Sequence, residues 1–537
     1  MSQIRLSTAG LKDLLKTTFV RVNRSRRAGR SLAWRFVPRR LRLPHELVDR
    51  FDMHEYERDL IAALTTALTR AGVQHLVLDQ RTLPTKKVAI IQSDAAKARR
   101  AILLDPATRD CWAAPANSGF VGPAAPLRWS PAAFPGASGL LLSRNLVTAA
   151  GALVIDSETG ILLEFWKRSD SREAGVGGGS HDSGTVRAPD SNGVLDFAGP
   201  HLWASIQRND HRLPARPPHL MLLQEPVDLV YTWVDGSDPA WQARKAESLG
   251  TTEMREASVD AAIEARFDNR DELKYSLRSV EMFASWVHRI WIVTDQQVPS
   301  WLRQDDRLRV VDHREIFADP SALPVYNSHA IESQLHHIPG LAEHYVYAND
   351  DMLFGARVEP EDFFHGNGIS KFFTSPALLD AGDHDPRDLA VAAAAKNNRD
   401  FIEAEFGKTI THKLRHTPQA QVRSVIEAFE AAYPSLFDSV MRSRLRHPSN
   451  YSLPSSLSQY YAFATGRAVS GRILNGYMDL AAKSPEVTLE LWLRRRRLQT
   501  MCINDSGEDS AALRAEKDAA LRDFFETYFP LPSRWEA

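Results

Sequence analysis

The sequence contains few cysteines, no long apolar run and almost no net charge. Only Cys111 and Cys502 occur among 537 residues, which excludes a disulfide-stapled scaffold and paired Cys/His zinc motifs. Without an apolar run of about 20 residues, no membrane-spanning helix is predicted. No secretory signal is predicted, and the low cysteine content is explained most simply by a reducing cytoplasm, so we expect a cytoplasmic protein. The net charge of −1 does not indicate a partner of either sign, and no nucleic-acid partner is predicted.

The charge is unevenly distributed along the chain. Residues 1–45 hold twelve Lys or Arg and one acid, Asp13, and are predicted to form a basic amino-terminal arm. Such an arm is either solvated and partly disordered, or lies on an anionic membrane surface. The second alternative predicts peripheral contact with the inner face of a membrane.

Residues 46–200 are predicted to form a small α/β accessory module, which contains no catalytic constellation. The patterns predict helices over 56–72 and 93–104, strands over 73–78 and 86–91, and a hairpin over 152–168. Residues 169–193 are rich in Gly, Ser and Asp and are predicted to be a flexible loop.

Residues 201–537 are predicted to form one catalytic domain. Continuous apolar strands alternate with helical patterns, and residues 375–470 are mostly helical in pattern. This alternation predicts an α/β fold with a Rossmann-like, mainly parallel sheet flanked by helices and carrying helical additions. The predicted strands are at 227–234, 288–295, 308–313 and 345–350, and the predicted helices include 271–287 and 330–344.

Each of these strands ends in polar residues, and ligands of open α/β sheets bind outside the carboxyl ends of the strands. A cleft lined by several carboxylates needs a cation, and oxygen ligands suit Mg²⁺ or Mn²⁺, which in turn suit a diphosphate. The alternatives are an ordinary turn at 235–238 and a helix cap at 350–351. The strand-end residues are Asp235 and Asp238; Thr294 and Asp295; Asp312 and His313; and Asn349, Asp350 and Asp351.

Basic side chains that could bind phosphate are also present. Arg270, Lys274 and Arg278 have the spacing of one helix face, which also fits a salt-bridged surface helix. His416 precedes Pro418 and is predicted at a helix start, where it is either structural or catalytic.

Several longer segments resemble the Stealth family, the sugar-1-phosphate transferases of bacterial capsule and exopolysaccharide synthesis. The animal member is the lysosomal-enzyme N-acetylglucosamine-1-phosphotransferase. The size and the basic arm look most like the actinobacterial type, and the resemblance covers about residues 226–537. It rests on "DLVYTWVDGSDPAW" (228–241), "RFDNRDELKYSLRSVEMFASWVHRIWIVTDQQVPSWL" (266–302), "LPVYNSHAIESQLHHIPGL" (323–341), "YAND" with "DML" (347–353), "HTP" (416–418), "SRLRHP" (443–448), "CINDS" (502–506) and "YFPLPSRWE" (528–536).

The resemblance implies transfer of a hexose-1-phosphate or N-acetylhexosamine-1-phosphate from a UDP-sugar to a hydroxyl of a glycan or polysaccharide acceptor, with release of UMP. Two other functions remain open at this point. A metal-dependent glycosyltransferase would release UDP, and a polysaccharide-binding protein would use tryptophans as sugar platforms. Trp233 and Trp291, however, lie in apolar strands and are predicted to be core residues.

The resemblance also implies roles for individual residues. His416 is the candidate general base, and two positions depart from the family pattern: Tyr326 replaces Phe, and Asn450 stands where an acid is common. The implied catalytic residues are His416, Asp350, Asp235 and Arg446; the implied metal ligands, for Mg²⁺ or Mn²⁺, are Asp350 and Asp351; the implied substrate-binding residues are Asp238, Arg270, Lys274, Asn327, Ser328, His329, Asn349, Asn504 and Asp505.

Overall fold

The computed structural model divides into two compact units, each described here by itself. The first contains Glu57–Asp79, Thr85–Pro214 and the described residues up to Asp49; the second contains Arg50–Tyr56, Gln80–Pro84 and Ala215–Ala537. The structure describes residues 44–81, 83–117, 120–129, 136–169, 173–174, 180–181, 183–190, 193–214, 217–248, 267, 269–385, 387–482, 484–505, 507 and 510–537. The predicted basic arm therefore lies almost wholly outside the described residues, as do parts of the predicted loop at 169–193.

The first unit is built on a mixed sheet, and none of the predicted site residues belongs to it. Its helices are α1 (Met53–Arg70), which begins in the second unit, α2 (Ala95–Leu104) and α3 (Pro200–Arg208). Its strands are β1 (Glu46–Leu47), β2 (His75–Leu78), β3 (Lys87–Ile91), β4 (Trp112–Asn117), β5 (Phe120–Val121), β6 (Ala125–Pro126), β7 (Gly139–Ser143), β8 (Leu146–Val147), β9 (Leu153–Ile155), β10 (Gly160–Arg168), β11 (Glu173–Ala174), β12 (Ser180–His181), β13 (Val186–Arg187) and β14 (Phe197–Ala198).

The predicted helices and the first two predicted strands of this unit are confirmed, but the predicted hairpin over 152–168 is wrong. β10 pairs with β7 and β3 in the large sheet, whereas β9 pairs with β8 in a separate three-stranded sheet. The turn at residues 156–160 therefore connects strands of two different sheets and does not join two paired strands. Two adjacent strand patterns alone could not reveal this, because partner choice depends on the rest of the unit.

The second unit contains all the predicted site residues. Its strands are β15 (Val227–Thr232), β16 (Ile290–Thr294), β17 (Leu308–Asp312), β18 (His344–Asn349), β19 (Met352–Phe354), β20 (Ser370–Phe372), β21 (Thr374–Leu378), β22 (His412–Leu414), β23 (Gln419–Val422), β24 (Ala468–Ser470), β25 (Asn475–Asp479) and β26 (Thr500–Asn504). Its helices are α4 (Pro239–Ser248), α5 (Glu272–Phe283), α6 (His313–Ile316), α7 (Ser328–Glu332), α8 (Pro360–Phe363), α9 (Ala390–Phe406), α10 (Arg423–Ala432), α11 (Pro434–Met441), α12 (Ser458–Ala464), α13 (Pro485–Arg495) and α14 (Ala511–Tyr528).

A five-stranded sheet forms the centre of this unit, in the order β17-β16-β15-β18-β23. The first four strands are parallel and β23 is antiparallel, which confirms the predicted α/β fold. Most of their apolar residues are buried, including Trp291 of β16, as expected for a parallel sheet covered on both faces. In register, Thr232 of β15 pairs with both Val293 and Asn349, so the polar strand ends share one edge.

A small sheet continues from the end of β18. After Asp350 and Asp351 the chain enters β19, which pairs antiparallel with β26, and β26 pairs parallel with β25. In this register Met352 lies opposite Cys502. The pairing brings the carboxyl-terminal part of the chain to the two aspartates.

Three local predictions for this unit are wrong in detail. Residues 330–344 do not form one helix: α7 ends at Glu332, a 3₁₀ turn spans Leu335–His337, and Pro339-Gly340 follow. His416 lies between β22 and β23 rather than at a helix start. Arg270 precedes α5, so it does not share a helix face with Lys274. In the described part of the chain, no helix combines the length and apolar character needed to cross a membrane.

Candidate active site

Three side chains from distant parts of the chain meet where the two sheets join. We call Asp351, His416 and Cys502 the Asp–His–Cys cluster. Nδ1 of His416 lies 2.9 Å from Sγ of Cys502, and Sγ lies 3.3 Å from Oδ2 of Asp351. One ligand atom from each residue lies within 4.8 Å of the other two. Cys502 is fully buried, whereas the His416 side chain is exposed and accessible to a substrate.

The hydrogen bonds of this cluster determine where its protons lie. Burial, together with the negative charge of Asp351, raises the pKa of the Cys502 thiol well above its ordinary value. The thiol therefore keeps its proton and donates it to Asp351, and its sulfur accepts Nδ1–H of His416. This tautomer leaves a lone pair on Nε2 of His416, which has no hydrogen-bond partner among the described residues.

The loop that carries His416 is fixed against β26. The hydroxyls of Thr417 and Thr500 are 2.7 Å apart and buried. The side-chain amide of Asn475 donates to the carbonyl oxygen of His416 at 3.3 Å, and the His416 ring contacts Tyr477 edge-on. With both sides of the residue held, the orientation of the imidazole is set by the fold.

Three neighbouring carboxyl groups, those of Glu272, Asp350 and Asp351, lie close enough to affect one another's pKa. Burial raises the pKa of Asp350 well above its ordinary value, and nearby Glu272 and Asp351 raise it further. Burial likewise raises the pKa of Glu272 to about 7, against the opposing effect of Arg270. Oδ1 of Asp351 is buried and has no hydrogen-bond partner among the described residues. These features fit a divalent cation held by Asp350 and Asp351.

The donor atoms also indicate which cations would fit. The oxygens of Asp350 and Asp351 are hard ligands and suit Mg²⁺ or Mn²⁺. The imidazole and thiol of the cluster are softer ligands, which zinc prefers. Nδ1–H of His416, however, points at the sulfur of Cys502, so neither of these two atoms is free to bind a cation. The carboxylate oxygens of Asp350 and Asp351 are therefore the ligands available to a cation.

A second group of predicted residues lies at the end of β15. Asp235 accepts hydrogen bonds from the backbone N–H and the hydroxyl of Ser237, and from Asn269. The buried amide of Gln297 bonds both to the backbone of Asp235 and to Oδ2 of Asp238, which lowers the pKa of Asp238. The turn is thus tied to the chain segment that follows β16.

A third group surrounds a buried carboxyl, Glu332. The hydroxyl of Tyr347 lies 3.1 Å from Oε1 of Glu332 and 2.8 Å from Oδ1 of Asn349. Burial raises the pKa of Glu332 to about 7, although nearby Arg446 opposes the shift. Arg446 also donates to the hydroxyl of Ser328 at 3.0 Å. These contacts bring Asn349, Ser328 and Arg446 to the surroundings of Glu332.

Two predicted donor-pocket residues, Asn327 and His329, are buried at the start of α7. Asn327 is fully buried and caps α7 by accepting the N–H of His329. Its amide donates to the carbonyls of Ser443 and Leu445 and to Asn450. Asn327 therefore fastens the segment carrying Arg446 to the start of α7.

The remaining predicted residues contact the carboxyl-terminal part of the chain. The guanidinium of Arg270 donates to Asp505 at 2.7 Å and to Asp518 at 2.6 Å. Lys274 lies 3.8 Å from Glu536. Asn504 donates towards the Tyr477 hydroxyl at 3.3 Å, beside His416. Arg270 and Lys274 are thus held by carboxylates, while Asn504 lies next to the Asp–His–Cys cluster.

A cavity of about 360 Å³ opens beyond the carboxyl end of β16. Arg244 crosses it and donates to both the side chain and the carbonyl oxygen of Asp295. Its lining residues are Arg244, Glu247, Ser248, Asp295, Gln296, Arg314, Pro320, Leu323 and Pro324. The cavity has basic and acidic groups and lies at the edge of the sheet where ligands of α/β folds bind.

Sequence reasoning missed three residues that organise the site. Cys502 stands inside an apolar run and gave no signal as a hydrogen-bonding group. Gln297 and Glu332 are buried polar residues. No structure was predicted for the segment with Gln297, and Glu332 was predicted only as part of a helix. Glu332 is the last residue of α7 and lies between Ile331 and Ser333, so its place in the sequence did not mark it as buried.

Comparison with known proteins matches the same regions of the chain. Conserved regions 1 to 4 of the Stealth proteins match residues 225–252, 266–372, 415–463 and 492–537. Exopolysaccharide phosphotransferase SCO6021 of Streptomyces coelicolor is 37% identical over 499 residues, covering 88% of this chain and 89% of that protein.

Two further matches are partial. Exopolysaccharide phosphotransferase SCO6023 of Streptomyces coelicolor is 47% identical over 312 residues, covering 58% of this chain and 52% of that protein, so the alignment spans about half of that relative. A solved structure of galactosyltransferase LgtC with donor and acceptor sugar analogues has a TM-score of 0.28 at 11% identity, and it covers 57% of this chain and 96% of that chain. A TM-score this low supports no conclusion about the fold or function of this chain.

Proposed function

Since this chain belongs to the Stealth family, we propose that it transfers a hexose-1-phosphate or N-acetylhexosamine-1-phosphate from a UDP-sugar to a hydroxyl of a glycan acceptor. UMP is the other product. The proposal places the protein in exopolysaccharide, capsule or cell-envelope glycan synthesis, in keeping with its relatives, which are named exopolysaccharide phosphotransferases.

The observation that carries this proposal is the Asp–His–Cys cluster. Asp351 lies in conserved region 2, His416 in region 3 and Cys502 in region 4. These three segments, separated along the chain, meet within 4.8 Å at the carboxyl edge of the sheet. An exposed imidazole with an available lone pair, beside clustered carboxylates, supports proton transfer next to a phosphate group.

His416 is the general base in this proposal. Nε2 accepts the proton of the acceptor hydroxyl while its oxygen forms a bond to the phosphorus that carries the sugar. The bond from this phosphorus to the oxygen of the UMP leaving group breaks, so the sugar keeps its C1–O bond and its anomeric configuration. Cys502 and Asp351 act as positioning residues in this step, because they hold the Nδ1–H tautomer.

The charge of the diphosphate requires compensation. Mg²⁺ or Mn²⁺, when bound by Asp350 and Asp351, would neutralise negative charge on the phosphate oxygens. Arg446, in the group around Glu332, is the proposed protein cation for the same purpose. Arg270 is already bound to Asp505 and Asp518, so its proposed role is to hold these two carboxylates in place and not to bind phosphate.

We place the nucleotide of the donor in the cavity beyond β16. The Asp235–Asp238 turn leads directly into α4, which supplies Arg244 to the cavity wall. Gln297 donates a hydrogen bond to Asp238 of this turn, and its neighbour in the sequence, Gln296, lines the cavity. Asp235 and Asp238 would then contact the donor beside the nucleotide.

The test is to identify the nucleotide that is released. The full chain is incubated with a panel of UDP-sugars, Mg²⁺ and short glycan acceptors, with a His416→Ala variant as the inactive control. UMP together with a phosphodiester-linked product supports the proposal. UDP together with a glycosidic product would identify a glycosyltransferase instead, and no turnover with any donor would leave a binding protein.

A further inference from the structure

Two adjacent histidines and a glutamate meet outside the candidate active site. His336 and His337 lie in the 3₁₀ turn Leu335–His337, and Glu430 lies on α10. Oε2 of Glu430 is 2.8 Å from Nε2 of His336 and 2.9 Å from Nε2 of His337. All three ligand atoms lie within 4.8 Å of one another. We call this set the His–His–Glu cluster.

The hydrogen bond behind His337 determines which of its nitrogens faces the glutamate. Nδ1 of His337 lies 3.1 Å from the carbonyl oxygen of Ile316. A carbonyl only accepts, so Nδ1 carries the hydrogen, and a neutral His337 has a lone pair on Nε2. That lone pair faces a carboxylate oxygen at 2.9 Å, so the contact needs a cation: a proton shared by the two atoms, or a metal ion that takes both atoms as ligands.

The arrangement matches what metal-binding histidines require. Such histidines donate their second ring nitrogen to a carbonyl or carboxylate, which fixes the tautomer and the ring orientation. The ring of His336 is buried and packs edge-on against Phe437 at 6.0 Å, so it is also held in place. His337 and Glu430 are each about a quarter exposed, which leaves a path for an ion from solvent.

We propose that His336, His337 and Glu430 bind one zinc ion, with water in the fourth position. Two imidazoles and one carboxylate form a ligand set that zinc favours, whereas Mg²⁺ prefers oxygen ligands alone. The ion would fasten the 3₁₀ turn, which leads towards β18, to α10, which follows β23 of the same sheet. It stabilises the fold, and the proposal does not rest on the proposed transfer reaction.

The test measures zinc bound by the full chain after treatment with a chelator and reloading. Because the Asp–His–Cys cluster also offers a thiol and an imidazole, the measurement is made in a Cys502→Ser background. We expect one zinc per chain there, and none after the further change His337→Gln or Glu430→Gln. His384→Gln is the matched control, since that exposed histidine pairs only with Asp400 in the described structure and should keep the zinc.

Two further measurements keep the outcome clear if a variant folds poorly. Co²⁺ loaded into the Cys502→Ser chain should give d–d absorption of a low-coordinate site without a thiolate charge-transfer band. Zinc should raise the melting temperature of this chain and of its His384→Gln form, because a ligand that binds only the folded state stabilises it. No zinc in the Cys502→Ser chain, or equal zinc with His337→Gln, overturns the proposal and leaves a proton as the cation.

Discussion

The imidazole of His416 is held by the thiol of Cys502, at a distance of 2.9 Å between Nδ1 and Sγ. One member of this pair is exposed and the other is fully buried. The exposed member can reach a substrate, while the buried one sets its orientation and tautomer. Substitutions at His416 and at Cys502 should therefore have different effects on catalysis.

Replacing His416 by alanine should lower kcat by about 10²–10⁴-fold, the usual contribution of a general base. The KM for the UDP-sugar should change little, since the imidazole acts on the acceptor hydroxyl. The melting temperature should also change little, because the side chain is exposed. His412→Ala removes a nearby exposed histidine and serves as the control. An early-melting His416→Ala protein with normal turnover when folded would remove His416 from the mechanism.

Replacing Cys502 by alanine should leave transfer possible but slower. Loss of the hydrogen bond to His416 is expected to cost about 1–2 kcal/mol, which corresponds to about five- to thirtyfold in kcat. Cys502→Ser should recover part of the rate, because a hydroxyl can also accept from Nδ1 and donate to Asp351. The pH profile of kcat should shift in the alanine variant, which a purely structural defect would not produce.

Replacing Asp350 or Asp351 by asparagine should lower transfer by at least about a hundredfold, because the diphosphate then lacks its counter-charge. The folded structure should remain, and the chelator-treated Asp350→Asn protein should melt no earlier than the parent chain, because crowding that raises the pKa of Asp350 is relieved. The exposed Asp306→Asn change is the control. Near-normal turnover of both variants at saturating Mg²⁺ would exclude these carboxylates as the metal site.

The buried Glu332 should make stability depend on pH. Its pKa is raised from 4.5 to about 7, so the folded state binds this proton more tightly than the unfolded state. The associated stability is present below pH 4.5 and is lost as the pH rises through about 7, to an extent on the order of 3 kcal/mol. Glu332→Gln should therefore reduce the pH dependence of the melting temperature between these pH values, and Glu272, whose pKa is also raised to about 7, should account for part of what remains. Glu490→Gln, an exposed change, should leave the slope as it is in the parent chain.

Deleting residues 1–40 should weaken binding to anionic lipid vesicles while transfer in solution persists. Residues 1–40 hold eleven of the twelve Lys or Arg of the basic arm and lie outside the described residues. The binding of the full chain should decrease with added salt, because surface charge is screened beyond about 8 Å at physiological ionic strength. Vesicle sedimentation in a salt series measures this. Equal binding by the truncated chain, or binding that salt does not change, would contradict it.

The sequence alone determined the central architecture and the edge of the sheet at which the candidate site residues lie. Continuous apolar strands separated by helical patterns predicted the parallel sheet, and β15 to β18 confirm it. Polar residues at the strand ends predicted where Asp235, Asn349 and Asp350 would lie. These inferences succeed because an apolar strand pattern is visible in the local sequence, and because strands that alternate with helices usually run parallel in one sheet.

Only the tertiary structure decided which side chains meet. The pairing of β19 with β26 brings Cys502 to Asp351, and the loop between β22 and β23 adds His416. Likewise Arg270, a predicted phosphate ligand, is bound by Asp505 and Asp518. Strand partners and long-range ion pairs depend on the packing of distant segments, which no local pattern specifies. The identity of each group was thus present in the sequence, while its partner was set by the fold.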